Sequence, residues 1–155
     1  MGKQSSHQKI VFSDEYFMRI ALQEAIKAYE AKEVPVGAVV VSNNRILAKA
    51  HNQVERLKDA TAHAEMLALS AAFNHIGGKY LPDCTLYVTL EPCLMCANAT
   101  FWAKLSRIVF AASDMRLGYR TFGASTLHPK TKVDTGILEE ESQKILQSFF
   151  AKLRE

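Results

Sequence analysis

The sequence predicts an α/β domain: helices and strands alternating around one sheet of about five strands. Three observations carry this. Four segments hold apolar residues at helical spacing, and they alternate with five short β-rich runs. No internal repeat or linker interrupts the pattern. The chain has 155 residues, 48% hydrophobic and 23% charged, an ordinary globular composition for one domain able to bury roughly two thirds of its unfolded surface. Residues 1–155 are therefore read as a single domain, with 1–12 as a flexible N-terminal tail.

Taken in order, Ser13-Asp14-Glu15 reads as a helix start, a capping serine followed by acids in the first turn. Met18, Leu22, Ala25, Ile26 and Tyr29 keep the helical spacing. Val34 to Val41, "VPVGAVVV", reads as a strand with Pro35 at its edge. Asn43-Asn44 is a turn and "RILAKA" the returning strand of a hairpin. Thr61 reads as the cap of a helix running to about Phe73, and Gly77-Gly78 and Pro82 end it. "CTLYVTL" predicts a central strand. Pro92 suits a first helical turn, with helix from Leu94 to Lys104. "RIVFAAS" is a further strand, 113–131 a loop, and "KVDTGI" a short strand. From Leu138 to Leu153, the set Leu138, Ile145, Leu146, Phe149 and Leu153 predicts a closing helix. Its acids stand at the start, and Lys152 and Arg154 at the end.

Several classes are excluded. No apolar stretch approaches a membrane span, so no membrane partner is expected. Met1 to Lys9 is polar and lacks the apolar core of a secretory signal; the expected location is cytoplasmic. "MGKQSS" fits the myristoylation pattern only as a short match. Three cysteines without an export signal argue against a disulfide framework and for a metal or redox pair. The net charge of +3 conceals an asymmetry. Residues 101–132 hold Lys104, Arg107, Arg116, Arg120, Lys130 and Lys132 against Asp114, six minus one, or +5. That segment reads either as a polyanion-binding face or as a solvated face of mixed loops.

"TAHAEML", residues 61–67, sets His63 and Glu65 two positions apart at a predicted helix start. In the body of a helix such a pair would face nearly opposite ways. "LEPCLMC" places Cys93 and Cys96 at i and i+3, after a strand and at the opening of a helix. There the two sulfurs share a face, and the helix N-terminus favours thiolate. A CxxC pair in this position serves redox chemistry or metal binding, or is simply two core cysteines. His63 tips the balance toward metal. Cys, Cys and His are three good zinc ligands, and a catalytic zinc keeps its fourth position for water. Glu65 then needs only to reach that water. Cys84 reads as a small core residue, Trp102 as core or dimer interface, and His7, His51, His75 and His128 as ordinary.

His63-Ala64-Glu65 with Pro92-Cys93-Leu94-Met95-Cys96 is the H-x-E and P-C-x-x-C signature of zinc nucleobase deaminases. Beyond that motif, "EVPVGAVVV", "HAEMLAL", "TLYVTLEPCLMCA", "RIVFAASD" and "GILEEESQKILQSFF" resemble the bacterial tRNA adenosine deaminases of the cytidine deaminase superfamily, over Tyr16 to Arg154. The resemblance implies a three-layer α/β/α cytidine-deaminase-like fold with a central mixed sheet. It also implies one zinc per chain and a homodimer with active sites near the subunit interface. By the same resemblance, His63, Cys93 and Cys96 match the zinc ligands and Glu65 the catalytic proton shuttle. Asn52 matches the asparagine that hydrogen-bonds the nucleoside, and Ala64 the residue whose backbone contacts the base. Val36 and Leu90 fall where the family lines its base pocket, and Asp114 and Phe149 where it approaches RNA. The implied partner is a tRNA anticodon loop, whose wobble adenosine becomes inosine. Three departures bear on the substrate: Asn98 in "CANA" where a glycine is usual, Phe101-Trp102-Ala103, and "RLGYRTFGAS" in place of a glycine-rich loop. The Phe-Trp-Ala run is similar to that of bacterial guanine deaminases of the same fold, so hydrolysis of free guanine or cytosine is the alternative. A non-enzymatic zinc module would normally supply four protein ligands.

Overall fold

The computed structural model of the chain describes residues 9–155. Most of the expected tail thus lies outside the described residues, but Phe12 belongs to the folded domain. It precedes Ser13, whose Oγ accepts the Tyr16 N–H at 3.1 Å and caps helix α1, Asp14–Glu30. Phe12 stacks on Phe17 with ring centroids 5.9 Å apart, the N′-to-N4 staple that fixes the entry of a chain into a helix. The buried stripe of α1 is Phe17, Met18, Ala21, Leu22, Ala25 and Ala28. Ile26, expected among them, is 44% exposed.

The first strand is shorter than expected. β1 spans Gly37–Ser42, because the Val36 N–H turns back onto the Val34 carbonyl at 2.8 Å and Pro35 has no N–H to give a ladder. Asn43 and Asn44 both hold positive φ, 49° and 61°, the backbone of a two-residue hairpin turn. β2, Arg45–His51, returns antiparallel with a register shift between Val40 and Val41. A short helix, α2 (Val54–Leu57), follows that the sequence reading did not anticipate. α3 spans Ala64–Ile76, β3 Cys84–Leu90, α4 Leu94–Trp102, β4 Arg107–Ala112, β5 Lys132–Thr135 and α5 Glu139–Leu153. Two 3-10 turns, Tyr119–Phe122 and Ala124–Thr126, interrupt the loop before β5.

Thr61 is not the cap of α3. Its N–H and hydroxyl both donate to Asp59 Oδ1, at 2.8 and 2.7 Å, which commits it to a turn. His63 takes the cap position. Pro92 likewise lies outside the first turn of α4, one residue before the cap, Cys93.

The sheet is mixed, in the order β2-β1-β3-β4-β5, antiparallel from β2 to β3 and parallel from β3 to β5. Strand alternation sorts its side chains into two cores. Val39, Val41, Tyr87, Val109 and Ala111 meet α1 on one face. Ala38, Val40, Leu86, Val88, Ile108 and Phe110 meet Ala64, Ala68, Leu69 and Ala97 of α3 and α4 on the other. α5 packs beside α1 against β3 and β4, completing the three α/β/α layers. At Gly37 a Cβ would fall 1.9 Å from the Ala21 carbonyl, so glycine is what lets α1 lie this close on β1. No helix among the described residues is long and apolar enough to cross a membrane.

The β3-α4-β4 unit is a parallel crossover, and α3 leads into β3 from the same face of the sheet. α4 begins just past the C-terminal end of β3, where ligands of parallel α/β sheets commonly bind.

Candidate active site

The spacing of His63 and Glu65 is explained by the boundary between them. His63 is extended (φ −73°, ψ 150°), the cap of α3, and Glu65 is already in its first turn. The two lie on different backbone geometries, so the rule that i and i+2 diverge does not apply. Glu65 is 4% exposed, and burial pushes its carboxyl up to about 7.

His63 Nδ1 lies 3.7 Å from Cys93 Sγ and 3.6 Å from Cys96 Sγ, and all three ligand atoms fall within 4.8 Å of one another. Zinc bonds of about 2.3 Å to sulfur and about 2.05 Å to nitrogen at a tetrahedral angle would put S and N about 3.6 Å apart. The trio therefore has the spacing of three corners of a tetrahedron. Cys93 caps α4 and Cys96 is in its first turn, so the thiols sit where the helix dipole favours thiolate. The hydrogen bond from Cys96 and the proximity of His63 hold the Cys93 thiol down to about 4, while Cys96 is pushed up by that same bond and by burial. A divalent ion would let both ionise. The donor set fits zinc, and three protein ligands leave a fourth position open.

His63, Glu65 and Cys93 form the floor of a cavity of about 780 Å³. Val36, Asn52 and Leu90 line its walls, Asp114 lines the loop side, and Phe149 comes in from α5. Eight of the ten residues singled out from the sequence line this cavity; Cys96 and Ala64 lie just behind it. Asn52, after β2, is 8% exposed, and its Oδ1 accepts the Ala64 N–H at 2.7 Å. Ala64 is fully buried, and its N–H is taken by Asn52. Asn52, besides facing the cavity, ties the start of α3 to the end of β2. Its NH2 group has no protein partner among the described residues.

Asp114 also has an internal task. Its Oδ1 accepts the Arg116 and Leu117 N–H groups, both at 3.0 Å, so the carboxylate folds the loop that walls the cavity. Behind that loop stands Glu91, which the sequence reading passed over. It is 3% exposed and accepts from the Asp114 N–H (3.2 Å), the Arg120 N–H (3.1 Å) and Arg120 Nη2 (2.8 Å). At Gly118 a Cβ would fall 2.1 Å from Glu91 Oε2, so the loop closes on Glu91 only with glycine there. Arg120, expected among the phosphate-binding cations, is instead the partner of a buried carboxylate. Glu33, 2% exposed, is a second overlooked acid: it accepts the Glu55 and Arg56 N–H groups at 2.9 Å and holds α2 at the cavity edge. One signal was present in "LEPC": an acid entering a buried strand end needs a partner.

A zinc-ligand trio at two helix starts, over a buried glutamate in an α/β/α fold, defines a metal-dependent deaminase site, and the chain belongs to the cytidine and deoxycytidylate deaminase family. The model of that family's zinc-binding region matches residues 12–112. Within it, the chain is 46% identical to the tRNA-specific adenosine deaminase of Aquifex aeolicus, covering 90% of this chain and 95% of that one. A solved structure from work on A-to-I editing by tRNA:A34 deaminases at the wobble position superposes with a TM-score of 0.79. It is 42% identical, covering 84% of this chain and 99% of that one. A guanine deaminase of Bacillus subtilis gives a TM-score of 0.63 at 36% identity, covering 66% of each chain.

Proposed function

We propose that the chain hydrolyses the wobble adenosine of tRNA to inosine, releasing ammonia, with one zinc held by His63 Nδ1, Cys93 Sγ and Cys96 Sγ. The observation that carries this reading is the cavity: its floor holds His63, Cys93 and Glu65, with Cys96 just behind, and its walls extend to Arg116, Phe150 and Leu153. Its breadth suits a nucleotide still joined to its chain. Zinc bound there lowers the pKa of a water toward neutrality. Glu65, almost sealed from solvent, takes a proton from the attacking water. It gives that proton to the ring nitrogen beside the amidine carbon, then takes the second proton from the new hydroxyl on that carbon and gives it to the departing amine. The Asn52 NH2 hydrogen-bonds the nucleoside, Val36 and Leu90 line the base pocket, and Asp114 and Phe149 lie where the RNA approaches. An anticodon loop presents an unpaired base, so little stacking energy has to be overcome.

Identity favours the adenosine reading: it is 46% to a tRNA-specific adenosine deaminase over nearly the whole of both chains, against 36% over two thirds of each for the Bacillus subtilis guanine deaminase and 24% over 94% of this chain for that of Nitrosomonas europaea. Asn98, one of the departures, is on the exposed side of α4, away from the cavity. Trp102 is 75% exposed at the end of α4 and so is not a core residue; Phe122, in the neighbouring turn, is 53% exposed. These suit a homodimer contact rather than a substrate pocket, in a single-domain cytoplasmic enzyme. The test is inosine mapping of tRNA incubated with the protein, beside ammonia release from free guanine, cytosine and adenosine. Inosine at the wobble position is the expected result. Ammonia from free guanine or cytosine with unmodified tRNA would overturn it.

A further inference from the structure

The fold divides the six cations of the basic 101–132 segment. Arg120 is held by Glu91, Arg107 by Asp14 and Asp134 at 2.8 and 2.7 Å, and Arg116 stands at the mouth of the catalytic cavity. The other three, Lys104, Lys130 and Lys132, come together elsewhere. With His128 they line a separate groove of about 640 Å³, bounded by Pro82, Leu105 and Ser106 at the N-terminal ends of β3, β4 and β5. None of the three lysines has a carboxylate partner among the described residues. The acid lining the groove is Asp83; the guanidinium of Arg107 is neutralised from outside it. Lys104 Nζ sits 4.3 Å from the centroid of Tyr80, which orients it. His128 Nδ1 accepts the Lys130 N–H at 3.1 Å, so the ring's Nε2 carries the proton and is a donor.

We propose that this groove is a second anion site, which grips the phosphate backbone of the same RNA whose base enters the catalytic cavity; the proposal rests on the tRNA reading above. Three unpaired ammonium groups with a neutral donor beside them match a run of phosphodiesters. They resemble a mobile charge track more than a bidentate pocket for one small anion. The groove lies one strand length, roughly 17 Å, from the residues that follow the C-terminal ends of β3 and β4. A nucleoside cannot reach across that span, so a molecule touching both is a polymer.

The test uses the zinc-loaded full chain and the triple variant Lys104→Gln, Lys130→Gln, Lys132→Gln, with unchanged melting and zinc content as the check of fold. Binding of full-length tRNA and of a minimal anticodon loop is measured from 50 to 200 mM salt, with inosine formation alongside. Loss of three phosphate contacts flattens the log–log salt slope by about 2 to 3. Wild-type affinity for tRNA should then fall roughly 20- to 40-fold more than the variant's over that range, with turnover of the minimal loop unchanged. Equal slopes in a wild type that forms inosine overturn the groove while leaving the function standing. If inorganic phosphate protects these lysines from acetylation but tRNA does not, the site is for a small anion and the proposal is again overturned. A wild type forming no inosine overturns the functional reading itself, and the proposal with it.

Discussion

Arg120→Ala separates the two tasks that a cation in this segment can have. In the folded chain the Glu91 side chain is 2% exposed and that of Arg120 46%. Glu91 Oε1 takes Arg120 Nη2 at 2.8 Å, and its remaining acceptor capacity goes to two backbone N–H groups at 3.1 and 3.2 Å. Removing one partner of a fully buried pair costs about 3–5 kcal/mol, because the other charge is stranded. Here the guanidinium is half in water, which already screens it, and the two backbone donors stay, so the lower part of that range applies. Loss of the guanidinium over Phe110, 4.9 Å from the ring centroid, adds about 0.5–1 kcal/mol. The expected destabilisation is about 3.5–4.5 kcal/mol, read by urea unfolding of zinc-loaded protein. The same substitution made in a Glu91→Gln background should cost at least 1 kcal/mol less, since no stranded charge remains. Because the 114–120 turn walls the cavity, KM should rise more than kcat falls. The salt slope of tRNA binding should not move. A cost below about 0.5 kcal/mol together with a flatter salt slope would show that Arg120 is a phosphate contact and that the buried-pair argument is wrong.

Other outcomes follow from the same geometry. Metal analysis of wild type should find roughly one zinc per chain, and His63→Ala or Cys93→Ser should lose it; a metal-free wild type cycling a Cys93–Cys96 disulfide would instead establish the redox reading. Glu65→Gln should keep zinc and fold yet lose inosine formation, since glutamine matches glutamate in shape but cannot carry the proton. Asp14 has its pKa lowered by the hydrogen bonds from Arg107. Its contribution is therefore present above the unfolded value of 3.8 and lost as pH falls through the lower folded value. Asp14→Asn should be less stable than wild type at pH 7 and converge on it below about pH 4 in acid titrations followed by circular dichroism. Trp102→Ala should weaken any dimer seen by sedimentation.

What could be read from the chain, and what could not, divides along a physical line. The strands of the sheet were legible because their alternation and β-branched runs are local and mutually consistent. The ligand trio was legible because cysteine and histidine at helix starts have few other reasons to occur together. Boundaries were less so: Thr61 has the side chain of a cap, yet its hydroxyl is taken by Asp59 two residues before, a competition that sequence does not rank. The roles of Glu91, Glu33 and Arg120 were hidden for a different reason. Each depends on a partner between 22 and 29 residues away, and a charge on a loop reads as solvated until the loop is seen to close over it.

That last point changes how the basic segment is understood. A count of +5 over 101–132 treats six cations as one feature, but their partners divide them by function. Two answer carboxylates and hold the fold: Arg107 braces α1 against β4 and β5, and Arg120 seals the loop over Glu91. One, Arg116, is left at the cavity mouth, and three gather at the far end of the sheet. Only the unpaired four can release counterions on meeting RNA without exposing a buried acid in exchange. Any salt dependence above that expected from four contacts, about 3 in slope, would have to come from outside this segment, and Lys32, which lines the catalytic cavity, is the nearest source.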